Sequence, residues 1–141
     1  MYKDFTKTLS IRSQQSDLTY MEYVAPAIQL ILGLGILNVW LLRRTKVTAY
    51  RGGGSPTLRE EFRAYNLPDF FYYIIGALKL TAATLLLAGI YFNSLVVPGA
   101  LLLAALMAGA FAMHLKIRDP LIKAVPSVTL LLLCIVLLIV K

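Results

Sequence analysis

Residues 69–92, DFFYYIIGALKLTAATLLLAGIYF, form an apolar stretch that is long enough to cross a bilayer as one helix. The stretch carries a lysine, Lys79, near its middle. An ionisable group at that depth costs about 2.5–3.5 kcal/mol on insertion scales, so it usually faces a bundle interior, pairs with another group or marks a site. Gly76 and Ala83 share a helical stripe with Lys79, and such small residues let a neighbouring helix approach closely. We therefore expect Lys79 to face inward.

The rest of the chain has the composition of an integral membrane protein. Of its 141 residues, 59% are hydrophobic and 15% are charged, whereas about a quarter of a soluble domain is charged. Residues 1–20 form a polar N-terminal tail, and residues 21–141 are predicted to form a single membrane domain. The expected fold is an all-α four-helix bundle that is integral to the membrane. We predict its spans at about residues 22–42, 69–92, 95–115 and 122–140.

The loop between the first two spans, residues 43–68, is long enough to hold a short helix. Thr57 followed by Glu60 fits a capping box, and the Ser-Pro pair before Thr57 offers an alternative start. A helix at about residues 57–66 would be amphipathic and would lie at the membrane interface, on the bundle or tucked under it. Its apolar face would consist of Leu58, Phe62 and Tyr65.

The distribution of basic residues predicts the orientation of the chain in the membrane. Four spans place both termini on one side, and the positive-inside rule assigns the more basic side to the cytoplasm. We therefore predict a multi-pass protein of the cell (inner) membrane with loops 43–68 and 116–121 in the cytoplasm and both termini outside. Four basic residues lie on the terminal side, and nine lie on the loop side: Arg43, Arg44, Lys46, Arg51, Arg59, Arg63, Lys116, Arg118 and Lys123.

Small residues also recur on the third span, where Ala104, Ala108 and Ala112 are spaced four residues apart. Together with Gly76 on the second span, they predict close helix packing. The partner helix could belong to the same bundle or to another copy of the chain.

Several classes of site are excluded by residue counts. A single cysteine, Cys134, cannot form an internal disulfide or a dithiol redox pair. A single histidine cannot supply both axial ligands of a haem, and the carboxylates do not have the spacing of metal ligands. No nucleophilic triad is evident, and membrane topology accounts for the basic residues without nucleic acid. We expect no metal, haem or nucleic-acid partner and no self-sufficient catalytic centre.

Two segments resemble the DoxX-like family of small four-span membrane proteins. They are KVTAYRGGGSPTLREEFRAYNLPDFFYYIIGALKL and ALMAGAFAMHLKIRDPLIKAVPSVTLLLL, and together they cover roughly residues 46–133. The junction from His114 to Leu121 is more distantly similar to the animal receptor-assembly chaperone NACHO. The resemblance implies a four-span bacterial membrane protein. It further implies association with a redox-linked complex, such as a quinone-reducing thiosulfate oxidoreductase, or with the assembly of other membrane proteins.

The candidate ligand-binding residues lie near the basic end of the predicted bundle. His114 is about one turn inside that end, and Lys79 starts about 15 Å from it, although a lysine side chain can extend back several ångströms. A cluster of Lys79, His114 and a carboxylate is therefore possible. The alternative is a structural polar cluster that joins the loop helix to the second and third spans. The full candidate set is Lys79, His114, Glu60, Glu61, Arg118 and Asp119.

Two functions remain open at the level of sequence. The chain could be a non-catalytic subunit or assembly factor of a membrane complex, and could bind other membrane subunits or form a homo-oligomer through its small residues. It could instead be a quinone- or lipid-binding component of a membrane redox (oxidoreductase) system. In that case Lys79 or His114 would donate a hydrogen bond to a carbonyl or a phosphate.

Overall fold

The computed structural model describes residues 1–141 except for the side chain of Met21. All regular structure in the described residues is helical. The helices are α1 (Tyr2–Leu37), α2 (Leu58–Ala64), α3 (Asp69–Ala88), α4 (Val96–Lys116) and α5 (Leu121–Val140). Four of them, α1, α3, α4 and α5, are long and apolar enough to cross a membrane. The predicted all-α, four-span architecture is confirmed.

The four long helices each contribute a fully buried leucine to a shared core. These residues are Leu32 of α1, Leu86 of α3, Leu103 of α4 and Leu137 of α5. Lipid is as apolar as leucine, so close packing holds such a core more than exclusion of water does. At Gly99 of α4 the approach is tight, because a Cβ added there would lie 3.2 Å from the backbone nitrogen of Leu86.

The helices form a ring in which α1 and α4 each pack against both α3 and α5. A short turn at Asn93–Leu95 links α3 to α4. The Lys141 amine donates a hydrogen bond to the Asn93 side chain, so the C-terminus lies beside that turn. The loop 43–68 and the α4–α5 junction therefore share the opposite end of the bundle.

The first helix begins at Tyr2, well before the predicted start of the first span at about residue 22. Residues 2–20 are exposed, and no proline or glycine precedes Pro26. Several hydroxyl side chains there donate to backbone carbonyls three or four residues back, as Thr8 Oγ1 does to Asp4 at 2.8 Å. The segment that sequence described as a polar tail therefore continues the first span as helix.

The first span ends in a π-helical turn, Asn38–Leu42, which turns Trp40 into the bundle. The Arg43 N–H donates to the Asn38 carbonyl at 2.9 Å, five residues back, and Trp40 is buried. Gly76 of α3 receives its ring, because a Cβ at Gly76 would lie 2.9 Å from Trp40 Cε3. Gly76 thus allows close packing of the Trp40 side chain. Turns of this wide kind are frequent at functional sites.

The small residues predicted to pack on the third span have different surroundings. Ala104 is half-buried and packs on the core, whereas Ala108 and Ala112 are exposed. The buried face of α4 carries Leu103 and Met107 instead. Ala108 and Ala112 therefore do not form the interior seam of this chain, and packing against another copy or subunit stays a prediction for them.

Candidate functional site

The loop helix α2 begins at Thr57, one of the two starts that the sequence allowed. Thr57 Oγ1 accepts the Glu60 N–H at 3.3 Å and donates to Glu60 Oε2 at 3.0 Å. Leu58, Phe62 and Tyr65 are all buried. The predicted apolar face is confirmed, and it packs against the bundle.

Polar contacts attach α2 to the spans on either side of it. Arg59 and Arg63 both donate to the Asp69 carboxylate at the start of α3, at 2.7 and 3.0 Å. The Lys116 amine donates to the Tyr65 carbonyl at 3.0 Å, so the end of α2 is also tied to α4. The helix is thereby held across one end of the bundle.

Glu61 is the central acceptor of a buried polar network beneath the bundle. Its Oε1 accepts hydrogen bonds from the Gly52 N–H and the Tyr65 hydroxyl, both at 2.8 Å. Its Oε2 pairs with Arg51 Nη1 at 3.3 Å, and the two side chains are only 10% and 6% exposed. Arg51 also donates to the Arg43 carbonyl at 2.7 Å. The carboxylate therefore has three donors, as a buried charge requires.

The glycine-rich turn supplies backbone donors to this network. Gly53 has a positive φ of 61°, which glycine adopts without strain, and its N–H donates to the Asp119 carboxylate at 3.1 Å. A Cβ on Gly52 would lie 2.7 Å from the Tyr65 ring. The turn thus holds Glu61 and Asp119 through backbone groups that side chains at these positions would obstruct.

His114 links the two halves of the network. Its Nδ1 lies 2.8 Å from Asp119 Oδ2, and its Nε2 lies 3.3 Å from the Tyr65 oxygen. An ionised carboxylate only accepts hydrogen bonds, so Nδ1 carries a proton that it donates to Asp119. The Tyr65 hydroxyl has two possible acceptors, Glu61 at 2.8 Å and His114 at 3.3 Å, and the shorter bond favours Glu61.

Two groups of the network outside the spans have shifted acidities. Burial, followed by the charge of Glu61, raises the pKa of the Tyr65 hydroxyl, so it remains a proton donor. Burial of Asp119 opposes its ionisation, but hydrogen bonds from His114 and Gly53 outweigh that effect and hold the pKa of its carboxyl below the usual value.

Above the network lies a cavity of about 640 Å³, within the range of small-molecule sites. Its floor is polar and includes Arg51, Glu61, Tyr65 and His114. Its walls are largely apolar and are contributed by all four long helices. They include Ile36, Val39, Trp40, Phe71, Ile75, Leu106, Met107, Ala110 and Leu130.

Lys79 lines the wall of this cavity. Its Nζ lies 5.5 Å from the centroid of the Trp40 ring, a distance at which a cation is attracted to an aromatic face. Within the described residues the amine makes no hydrogen bond and no ion pair. Arg51 Nε is likewise buried and has no hydrogen-bond partner there. Lys79 Nζ and Arg51 Nε are thus two donors beside the cavity that have no acceptor in the described part of the chain.

The structure separates the six candidate residues into three groups. Glu61, His114 and Asp119 belong to one hydrogen-bonded network, and Lys79 shares the cavity above it. Glu60 lies on the exposed side of α2, where it binds Thr57. Arg118 is exposed in the α4–α5 junction at a φ of 56°.

Sequence reasoning missed two residues of the site. Arg51 was counted only as a loop charge. Tyr65 was placed on an apolar face without a role for its hydroxyl. Its phenolic oxygen was the one available signal, because a buried tyrosine hydroxyl usually has a hydrogen-bond partner. Within the described residues, His, Cys, Asp and Glu side chains form no group that could hold a metal ion.

The family model described as the DoxX-like family matches residues 53–137. The match covers more than half of the chain, and the chain belongs to that family. It includes Glu61, Lys79, His114 and Asp119, whereas Arg51 lies just before it. Among curated proteins and among solved structures nothing matches, so the more distant similarity to NACHO stays a prediction.

Proposed function

We propose that this member of the DoxX-like family is a non-catalytic membrane component that binds a quinone- or lipid-like molecule inside its helical bundle. The observation that supports this function is the cavity of about 640 Å³, which combines apolar walls with a polar floor. Pockets of this kind use a few polar groups to orient a largely apolar ligand.

The unsatisfied donors define the polar end of the ligand. Glu61 already accepts three hydrogen bonds, whereas Lys79 Nζ and Arg51 Nε have no acceptor in the described part of the chain. A ligand that offers acceptor oxygens complements these donors. A quinone carbonyl and a lipid head group both do so, and their apolar parts would contact the walls.

The proposal assigns no electron transfer to this chain alone. Its one cysteine, Cys134, cannot cycle between dithiol and disulfide, so an electron carrier would belong to a partner in a redox complex. We place the protein in a bacterial inner membrane, with loops 43–68 and 116–121 in the cytoplasm and both termini outside. The excess of basic residues at the loop end supports this orientation.

The test is the small-molecule content of the purified protein. The full chain is extracted in a neutral detergent, and its bound lipids and quinones are identified by mass spectrometry. We expect one species in near-stoichiometric amount, and we expect Lys79→Met to lose most of it. Lys46→Met, which removes an exposed lysine outside the cavity, should retain it. Absence of any retained species, or equal retention by Lys79→Met, would contradict the proposal.

A second candidate function is that of a subunit or assembly factor, and the exposed face of α4 favours it. Ala108 and Ala112 lie on that face and would allow another helix to approach. We expect Ala108→Leu to release a co-purifying subunit or second copy while ligand content is retained. Val125→Leu, at an exposed position of α5, is the control. If the assembly is unchanged in Ala108→Leu, this face is not the contact.

A further inference from the structure

We propose that the head group bound in this cavity is an anion, a carboxylate or a phosphate carried on an apolar chain. This inference rests on the proposed function, because it names the charge of the ligand for the same cavity. Its starting point is the balance of charged groups around the cavity.

The other charged side chains that line the cavity are paired within the chain or exposed to solvent. Arg51 pairs with Glu61 at 3.3 Å, Lys123 pairs with Asp119 at 3.6 Å, and Arg43 is exposed. Lys79 also lines the cavity, and within the described residues no carboxylate lies in ion-pair distance of its amine. The lining therefore carries an excess of positive charge.

The hydrogen-bonding capacity of the floor points to the same ligand. Arg51 is 5% exposed, and its Nε is a buried donor without an acceptor. Three donors within the chain already use most of the accepting capacity of Glu61. A carboxylate or a phosphate offers several acceptor oxygens, and an ammonium group such as that of Lys79 binds either one as a compact positive charge.

Charge distinguishes an anionic head group from a neutral one. In a low-dielectric interior a lone cation is costly, and an opposite charge nearby offsets that cost far more than it would in water. A neutral quinone carbonyl would accept a hydrogen bond from Lys79 but would leave its charge uncompensated. The ligand that best completes this site therefore supplies the missing negative charge.

Trp40 provides a direct reporter, because it is the single tryptophan of the chain and lines the cavity beside Lys79. Bromine atoms quench tryptophan fluorescence on contact. The full chain in neutral detergent is titrated at neutral pH with 9,10-dibromostearic acid and, separately, with its methyl ester. We expect the acid to quench Trp40 at a concentration about tenfold lower than the ester, because an ionised carboxylate binds the amine more strongly than a neutral ester does, and a factor of ten corresponds to about 1.4 kcal/mol.

Variants assign this preference to Lys79. We expect Lys79→Met to bind acid and ester equally, Lys79→Arg to keep the preference for the acid, and Lys46→Met to behave as the natural chain does. Phosphatidic acid carrying the same brominated chain separates the two sources of negative charge. If phosphatidic acid quenches Trp40 at the lower concentration, the head group is a phosphate. If the fatty acid does so, the head group is a carboxylate.

The outcomes separate the inference from the function on which it rests. Equal quenching by acid and ester in the natural chain would overturn the anionic head group while leaving a ligand cavity in place. Quenching by neither compound, nor by a neutral quinone with a short alkyl tail, would overturn both. A preference for the acid that survives Lys79→Met would also overturn the assignment.

Discussion

The polar network under the bundle and the Lys79 side chain above it border one cavity, but they differ in how their polar atoms are satisfied. Glu61 and Asp119 each accept several hydrogen bonds. His114 donates to Asp119 and also contacts the hydroxyl of Tyr65, which donates to Glu61. Among the described residues the Lys79 amine makes no hydrogen bond and no ion pair, and the centroid of the Trp40 ring lies 5.5 Å from it.

This difference separates a structural role from a ligand-binding one. Removing one member of a satisfied network leaves its partners buried and unpaired, which is costly. Removing a group that has no partner leaves nothing behind and relieves its own cost of burial. Residues of the first kind should govern stability, and a residue of the second kind should govern binding.

The largest expected effect on stability comes from replacing Glu61. We expect Glu61→Gln to lower the free energy of unfolding by about 3–5 kcal/mol, because it leaves Arg51 as an uncompensated buried charge. Thermal unfolding in detergent, followed by circular dichroism, measures this loss. Glu60→Gln is the matched control, since Glu60 is the exposed neighbour in the same helix. An equal loss of unfolding free energy in both variants would contradict the assignment of a special structural role to the buried network.

The second largest effect on stability is expected from replacing Asp119, and its size depends on pH. Its pKa is held below the ordinary value of 3.8 in the folded protein. Its contribution to stability is therefore present above that value and is lost as pH falls through the lower, folded pKa. We expect Asp119→Asn to cost about 1.5 kcal/mol near neutral pH. The gap in melting temperature between the two proteins should narrow below pH 3.8, and a gap that widens in acid would contradict the prediction.

The smallest expected effect on stability is at Lys79. Lys79→Met exchanges the cost of burying an unpaired amine for the loss of its contact with Trp40, so the free energy of unfolding should stay within about 1 kcal/mol of the natural value. The same thermal measurement decides this. A loss comparable to that of Glu61→Gln would mean that Lys79 belongs to the structural network.

The architecture was predictable because span length, hydropathy and capping residues act locally. The four apolar stretches and the Thr57 cap follow from residues within one helix or one turn. The helical conformation of the N-terminal segment was not predicted, because a polar composition neither requires nor excludes helix. The neighbour of the small residues on α4 could not be predicted, since spacing cannot tell which neighbour a small-residue face meets.

The candidate site could be predicted only in part, because the sequence shows which residues are charged but not which groups connect them. His114, Asp119 and Glu61 stood out as charged or titratable residues near one end of the bundle, and they do meet. Their connecting groups did not stand out, because Arg51 lies in an irregular loop and Tyr65 lies on an apolar face. The Glu60 carboxylate accepts a hydrogen bond from the Thr57 hydroxyl of its own helix cap, and this local contact keeps it out of the cluster.

The sequence by itself determined a four-span helical membrane protein with a lysine placed deep in its second span, because bilayer thickness and the cost of a buried charge leave few alternatives. Only the tertiary structure decided which carboxylates accept hydrogen bonds. It also decided that the Lys79 amine has no acceptor among the described residues. Hydrogen-bond satisfaction depends on atoms brought together from distant parts of the chain, such as Gly53 and Asp119. The tertiary structure therefore shows that Lys79, which the sequence identified only as an unusual charge, lines a specific cavity.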